Sequence, residues 1–187
     1  MKRLLFAILT FSAFALFMAC SGENEPATAQ QNAPEKAVDT ASVQFTWYTD
    51  WNEGMAAAKK EKKPVIVDFY ADWCRYCKQL DAETFSAPEV KSRLAQSWIG
   101  IKINGEDTNA KATFDGKTYS PPELMRYFGI RGFPTLLFFD NKGNPVKPYT
   151  VYINFVPKKP FGPLLDYFRD ELYSKNIDIN NYIKSKN

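Results

Sequence analysis

Six consecutive residues, Val65-Ile66-Val67-Asp68-Phe69-Tyr70, form an apolar run broken by a single acid, and the pair Cys74 and Cys77 follows at once. A continuous run of β-branched and aromatic residues suits a strand covered on both faces, which places it inside a sheet sandwiched between helices. The rest of the chain supplies those layers. Met55 to Lys60 is Ala-rich and helical in character, and Cys74 to about Leu94 reads as helix with a break near Pro88. Trp98 to Asn104 predicts a second strand. Pro121 opens a short helix that runs through Glu123 to Phe128 and stops at Gly129. Pro134 to Asp140 and Pro145 to Ile153 are two strands joined by the turn Asn141-Lys142-Gly143-Asn144. Leu164, Leu165, Phe168 and Leu172 make the apolar stripe of a closing helix. The predicted order is β-α-β-α-β-β-α: an α/β fold of three layers, α/β/α, with a mixed central sheet. Gly105 to Ser120, with Asp115-Gly116 as a turn, is expected as a loop or hairpin beside the helix at 121–128.

The cysteines lie between the end of a strand and the start of a helix. Unpaired N–H groups and the helix dipole stabilise an anion there, so Cys74 can be a thiolate near neutral pH, and Cys77, one turn on, can close a disulfide upon it. Two other readings compete, half of a zinc site and a fixed structural disulfide. Zinc needs four ligands, and the chain has three cysteines and no histidine. A bridge closing so small a loop would add little stability. The absence of histidine also removes Ser-His and Cys-His pairs and haem attachment, since Lys78 follows Cys77. No metal and no cofactor is expected.

The first nineteen residues read as an address. Lys2-Arg3, an apolar run from Leu4 to Met18, and Ala19 before Cys20 have the layout of a secretory signal, and the run is short for a membrane span. A cysteine at the cut resembles the lipobox of bacterial lipoproteins, which makes Cys20 the expected lipidation site. Phe17 and Met18 stand where that motif has Leu and a small residue, so ordinary cleavage to a soluble periplasmic form is the alternative, and a buried N-terminal helix the third. Ser21 after a lipidated cysteine favours the outer membrane under the sorting rule of enteric bacteria. Residues 20–43, rich in Ala, Gln, Asn, Glu, Pro and Thr, form the lipidated N-terminus and a tether. The 187 residues allow one core, placed at 44–175, with an Asn- and Lys-rich tail at 176–187 that carries no assignment. Without Lys2 and Arg3 the chain has 22 basic and 21 acidic side chains, a net +1 that gives no reason to expect nucleic acid. The tether and the balanced charge fit a monomer.

The residues resemble the thioredoxin superfamily. Val65 to Cys74 with Cys77-Lys78 is similar to the active-site strand and helix of that fold, and Gly129-Ile130-Arg131-Gly132-Phe133-Pro134-Thr135-Leu136-Leu137 to its cis-proline segment. Tyr70-Ala71-Asp72-Trp73-Cys74 with Glu83-Thr84-Phe85-Ser86 and Pro88-Glu89-Val90 is especially similar to the C-terminal domain of the transmembrane reductase DsbD. Periplasmic thioredoxin-related lipoproteins of the SoxW type are also near. The resemblance covers about residues 45 to 173. It implies that Pro134 is cis and faces the disulfide, with the Phe133 backbone pairing with substrate, and that Trp73, Arg75 and Tyr76 border the substrate. It implies that Asp68 is a buried acid able to take the proton from Cys77. Lys102 is implied near that acid and Asp81 near the pair, one methylene shorter than the Glu of DsbD-type domains. A satisfied core aspartate for Asp68, and solvated surface charges for Lys102 and Asp81, are the competing readings.

The resemblance implies an envelope thiol–disulfide oxidoreductase, a reductase or interchange protein that receives electrons from a membrane donor of the DsbD type and acts on disulfide-containing envelope proteins. Arg75-Tyr76 stands where thioredoxins have Gly-Pro and where oxidants and isomerases place a His. Arg75 supplies positive charge beside Cys74 and leaves the direction of electron flow open. The alternatives are an oxidase or isomerase of secreted proteins and a redox-inert binding lipoprotein.

Overall fold

The computed structural model describes residues 44–147, 151–153 and 155–186. The signal, Cys20 and the tether expected at 1–43 lie outside the described residues. Within them the chain runs α1 (Trp51–Glu61), β1 (Val65–Tyr70), α2 (Arg75–Gln79), a π-helical turn (Leu80–Phe85), α3 (Pro88–Ser97), β2 (Ile99–Asn104) and β3 (Ala112–Phe114). Then follow β4 (Lys117–Tyr119), α4 (Pro121–Phe128), β5 (Thr135–Phe139), β6 (Val151–Ile153), α5 (Lys158–Arg169), a 3₁₀ turn (Leu172–Lys175) and α6 (Ile179–Lys186).

The main sheet has the order β2-β1-β5-β6. β1 pairs parallel with β2 and antiparallel with β5, and β5 pairs antiparallel with β6. Alternation along β1 sorts the core into two halves. Val65, Val67 and Phe69 face a cluster with Ile99, Ile101, Ile103, Leu137 and Phe139, covered by Trp51 and Ala58 of α1 and Leu124 of α4. Ile66, with Leu136 and Phe138, faces Leu80, Phe85, Val90, Leu94 and the α5 residues Phe161, Leu164, Leu165 and Phe168. The rings of Phe138 and Phe168 stack with centres 4.0 Å apart. The layers are those expected, helix on sheet on helix.

Some elements depart from the sequence expectation and one, the hairpin within 105–120, meets it. The helix from Cys74 stays unbroken to Phe85 only by widening: the Ser86 N–H donates to the Asp81 carbonyl five residues back at 3.0 Å, and α3 restarts at Pro88. The segment expected as a loop or hairpin at 105–120 is a hairpin, turning at Asp115 (φ 50°) and Gly116 (φ 72°), the paired positive dihedrals of a two-residue hairpin turn. It docks on α1 through Asn52, which accepts from Thr113 N–H at 2.8 Å and donates to the Lys111 carbonyl at 2.9 Å. Pro145 makes one isolated bridge to Phe139, and of the strand expected from there, residues 148–150 lie outside the described residues. The domain boundary expected at 175 moves outward. Ile179 is buried in the α5-side core, and the Tyr167 hydroxyl donates to the Ile177 carbonyl at 2.8 Å, so α6 is packed structure rather than tail.

Residues 44–48 form a strap before α1. Tyr48 pairs with Ile101 as one parallel bridge at the free edge of β2. Asp50 then caps α1 by accepting from Glu53 N–H at 2.9 Å.

Candidate active site

β1 ends at Tyr70, and a tight turn, closed by Cys74 N–H donating to the Ala71 carbonyl at 3.0 Å, delivers Cys74 to the N-cap of α2. Cys74 and Cys77 are joined as a disulfide with their Cα atoms 5.3 Å apart. Cys74 Sγ accepts from the Cys77 N–H at 3.1 Å. That donor lies at the helix start, where a thiolate would be stabilised by the same N–H and by the helix dipole. Both cysteines are nearly covered, packed with Ala71, Tyr70 and Phe133.

Around this buried pair the surface is aromatic. Trp73 is 68% and Tyr76 60% exposed, large apolar rings left in water beside the disulfide. The Trp73 indole N–H donates to both carboxylate oxygens of Glu106 at 3.0 Å, and its ring meets Phe133 edge to face with centres 6.0 Å apart. Arg75 is exposed, and Pro134 is buried at a cis peptide bond after Phe133. Thus the structure gathers Trp73, Tyr76 and Phe133 at the cysteines. Glu106 had no sequence signal. It comes from the turn after β2, which is tied to β1 by Gly105 N–H donating to the Tyr70 carbonyl at 2.8 Å.

Asp68 and Lys102 are register partners on the parallel pair β1–β2, so their side chains share the face toward the π-helical turn. Asp68 is fully buried and neither carboxylate oxygen has a hydrogen-bond partner. Lys102 Nζ stands 3.6 Å from Asp68 Oδ2, an ion-pair separation outside hydrogen-bond reach. The same ammonium hydrogen-bonds Asp81, the second residue of the π-helical turn. Burial is the main force on Asp68 and pushes its carboxyl up to about 7, with Lys102 opposing and Asp81 assisting. Asp68 is therefore no satisfied core aspartate, and Lys102, whose side chain is 18% exposed, is no solvated surface charge. Asp81 is half-exposed and closes the chain of three charges. Among the described residues no group of three or more Cys, Asp or Glu side chains could hold a metal ion.

A pair of cysteines at a strand-to-helix junction, an acid inside the strand and a cis proline entering the antiparallel strand form one constellation. Segments of the thiol:disulfide interchange protein DsbD match this chain. That of Cronobacter sakazakii is 37% identical over 112 residues, covering 60% of this chain and 17% of that protein. That of Vibrio cholerae is 31% identical over 130 residues, covering 68% of this chain and 20% of that protein. The chain thus spans about a fifth of those curated relatives. A thioredoxin-fold protein from Helicobacter pylori superposes with a TM-score of 0.58 at 18% identity, covering 67% of this chain and 85% of that one, a likeness of fold. The model of the thioredoxin-like domain matches residues 51–169, from the first turn of α1 to the end of α5. With more than half of its length so matched, the chain belongs to the thioredoxin-like domain family.

Proposed function

We propose that this protein is a thiol–disulfide oxidoreductase of the bacterial cell envelope that reduces oxidised partner proteins through the Cys74–Cys77 dithiol. The observation that carries this reading is the Cys74–Cys77 disulfide at the start of α2, with Cys74 Sγ on a helix N–H and a collar of exposed aromatic rings beside it.

In the reduced form, the Cys74 thiolate attacks one sulfur of a partner disulfide. A Cys74–partner S–S bond forms, the partner's S–S bond breaks, and its second sulfur leaves as a thiolate. Cys77 then gives its proton to Asp68 and attacks Cys74 Sγ. The Cys74–Cys77 disulfide forms and the mixed disulfide breaks, releasing the partner's other sulfur. Two electrons pass to the partner, and its two thiolates take up two protons, the one that Asp68 received from Cys77 and one from solvent, equal to the one Cys74 lost on ionising. A carboxyl near neutral is suited to that transfer, being able to hold or lose a proton at working pH. Trp73, Tyr76 and Phe133 offer the partner an apolar rim, with Arg75 and Pro134 bordering it. A membrane donor of the DsbD type would return the chain to the dithiol form. The signal at 1–19 and Cys20 would carry it to the periplasmic side, lipid-anchored or, if cut ordinarily, soluble.

A Cys77→Ser variant, reduced and exposed to envelope extract without added thiol, should accumulate covalent adducts that dithiothreitol releases, with none in Cys74→Ser. Adducts in neither variant would sink the reading. Arg75 beside Cys74 favours a second reading, in which the couple oxidises its partners. A reduction potential near or below roughly −230 mV supports reduction, and one at about −180 to −120 mV supports the oxidase or isomerase.

A further inference from the structure

The strap before α1 reaches the charged cluster of Asp68, Lys102 and Asp81 through Trp47. Tyr48 N–H donates to the Gly100 carbonyl and Lys102 N–H to the Tyr48 carbonyl, both at 2.8 Å, so the strap is pinned on either side of Ile101. This pinning lays Phe45 and Trp47 across Gly100, where an added Cβ would come within 2.5 Å of the Phe45 ring and 2.7 Å of the Trp47 ring. Trp47 continues onto Phe85, ring centres 4.8 Å apart. The ammonium of Lys102 lies 5.8 Å from the centre of the Trp47 ring, 5.4 Å from that of Tyr70 and 5.9 Å from that of Phe85. All three distances are within cation–π range, and an indole is the strongest partner of the three ring types. Tyr70 belongs to β1 and Phe85 to the π-helical turn, whereas Trp47 arrives from a segment ahead of the matched domain.

We propose that Trp47 is a positioning residue: its indole, pinned beside β2 by the strap, keeps the Lys102 ammonium between Asp68 and Asp81, and so acts on the proton acceptor of the resolving step through Lys102. The proposal rests on the reading of Asp68 as that acceptor. A lysine stem is long and flexible, and Asp81 is half-exposed, so a Lys102 without its indole cover follows Asp81 outward toward water. The charged groups acting on Asp68 are Lys102 from β2 and Asp81 from the π-helical turn. Loss of Lys102 from its place leaves Asp68 with burial and Asp81 alone, both of which favour the protonated form.

The test is a carboxyl-carbon NMR titration of Asp68 in the full-length oxidised protein. Trp47→Leu should raise the Asp68 midpoint by about half a pH unit, in the direction of Lys102→Met and by less. Trp47→Phe should restore most of the wild-type value. Gly100→Ala, which displaces the rings and changes no charge, should raise the midpoint as Trp47→Leu does, and it decides the matter if Trp47→Leu does not fold. A midpoint unmoved or lowered, while Lys102→Met raises it, overturns the proposal and leaves Trp47 as packing. Failure of the underlying reading shows elsewhere: Asp68→Asn would then exchange disulfides at the wild-type rate at every pH, whatever the titration gives.

Discussion

Asp68 holds a carboxyl in a place without exposure and without a hydrogen bond, an arrangement that costs stability whenever the group is ionised. Its folded-state value of about 7 lies above the ordinary 3.8, so between those limits the native state keeps a proton that the unfolded chain has released. Stability therefore falls as pH rises through that window, by on the order of 4 kcal/mol in all, and is fully lowered above it. Urea unfolding of the oxidised protein at about pH 4.5 and about pH 8 should show the drop, and Asp68→Asn should flatten it. A profile as steep in the variant as in the parent would remove Asp68 as the source. Only part of this was legible in the sequence. An acid inside an apolar strand announced itself, and family resemblance supplied Lys102 and Asp81. Nothing local announced Trp47 or Glu106, because each acts across the fold on a partner more than thirty residues away.

Among the elements, the π-helical turn is the least predictable and the most consequential, since it carries Asp81 and Phe85 together. No residue pattern marks an i to i+5 turn, so the sequence showed a helix and a break but not the widening between them. What fixes it is tertiary. Thr84, fully buried, donates its hydroxyl to the Val156 carbonyl at 2.6 Å and so ties the turn to the segment leading into α5. Thr84→Val should leave that carbonyl unpaired and cost about 1–3 kcal/mol in chemical unfolding, where Thr84→Ser should cost less. An undiminished stability in Thr84→Val would show that the bond is not needed. α4 was legible because its ends are chemical, Pro121 at the start and Gly129, at φ 71°, at the stop. α6 was not, because Ile179 and Tyr182 make a short stripe in polar company and become a core face only against Tyr167.

At the scale of the whole molecule, the matched family region begins at Trp51, yet the described fold begins earlier, with a strap that contributes Phe45 and Trp47 to the α5-side core. A chain starting at Thr49 should therefore unfold at lower temperature than one starting at Gln44, by several degrees for a loss of one to two kcal/mol, roughly the scale expected for a domain of this size. Equal melting temperatures would assign the strap no part in stability. Its backbone has a further consequence. β2 reads Ile-Gly-Ile-Lys-Ile-Asn and lies at the margin of the sheet, and Tyr48 occupies the N–H of Lys102 and the carbonyl of Gly100 there. Bared, that margin would be an isoleucine-rich template for another chain's strand. Proteolytic trimming is then not neutral in where it stops: a cut ahead of the strap keeps that margin paired with Tyr48, and one behind Tyr48 bares it.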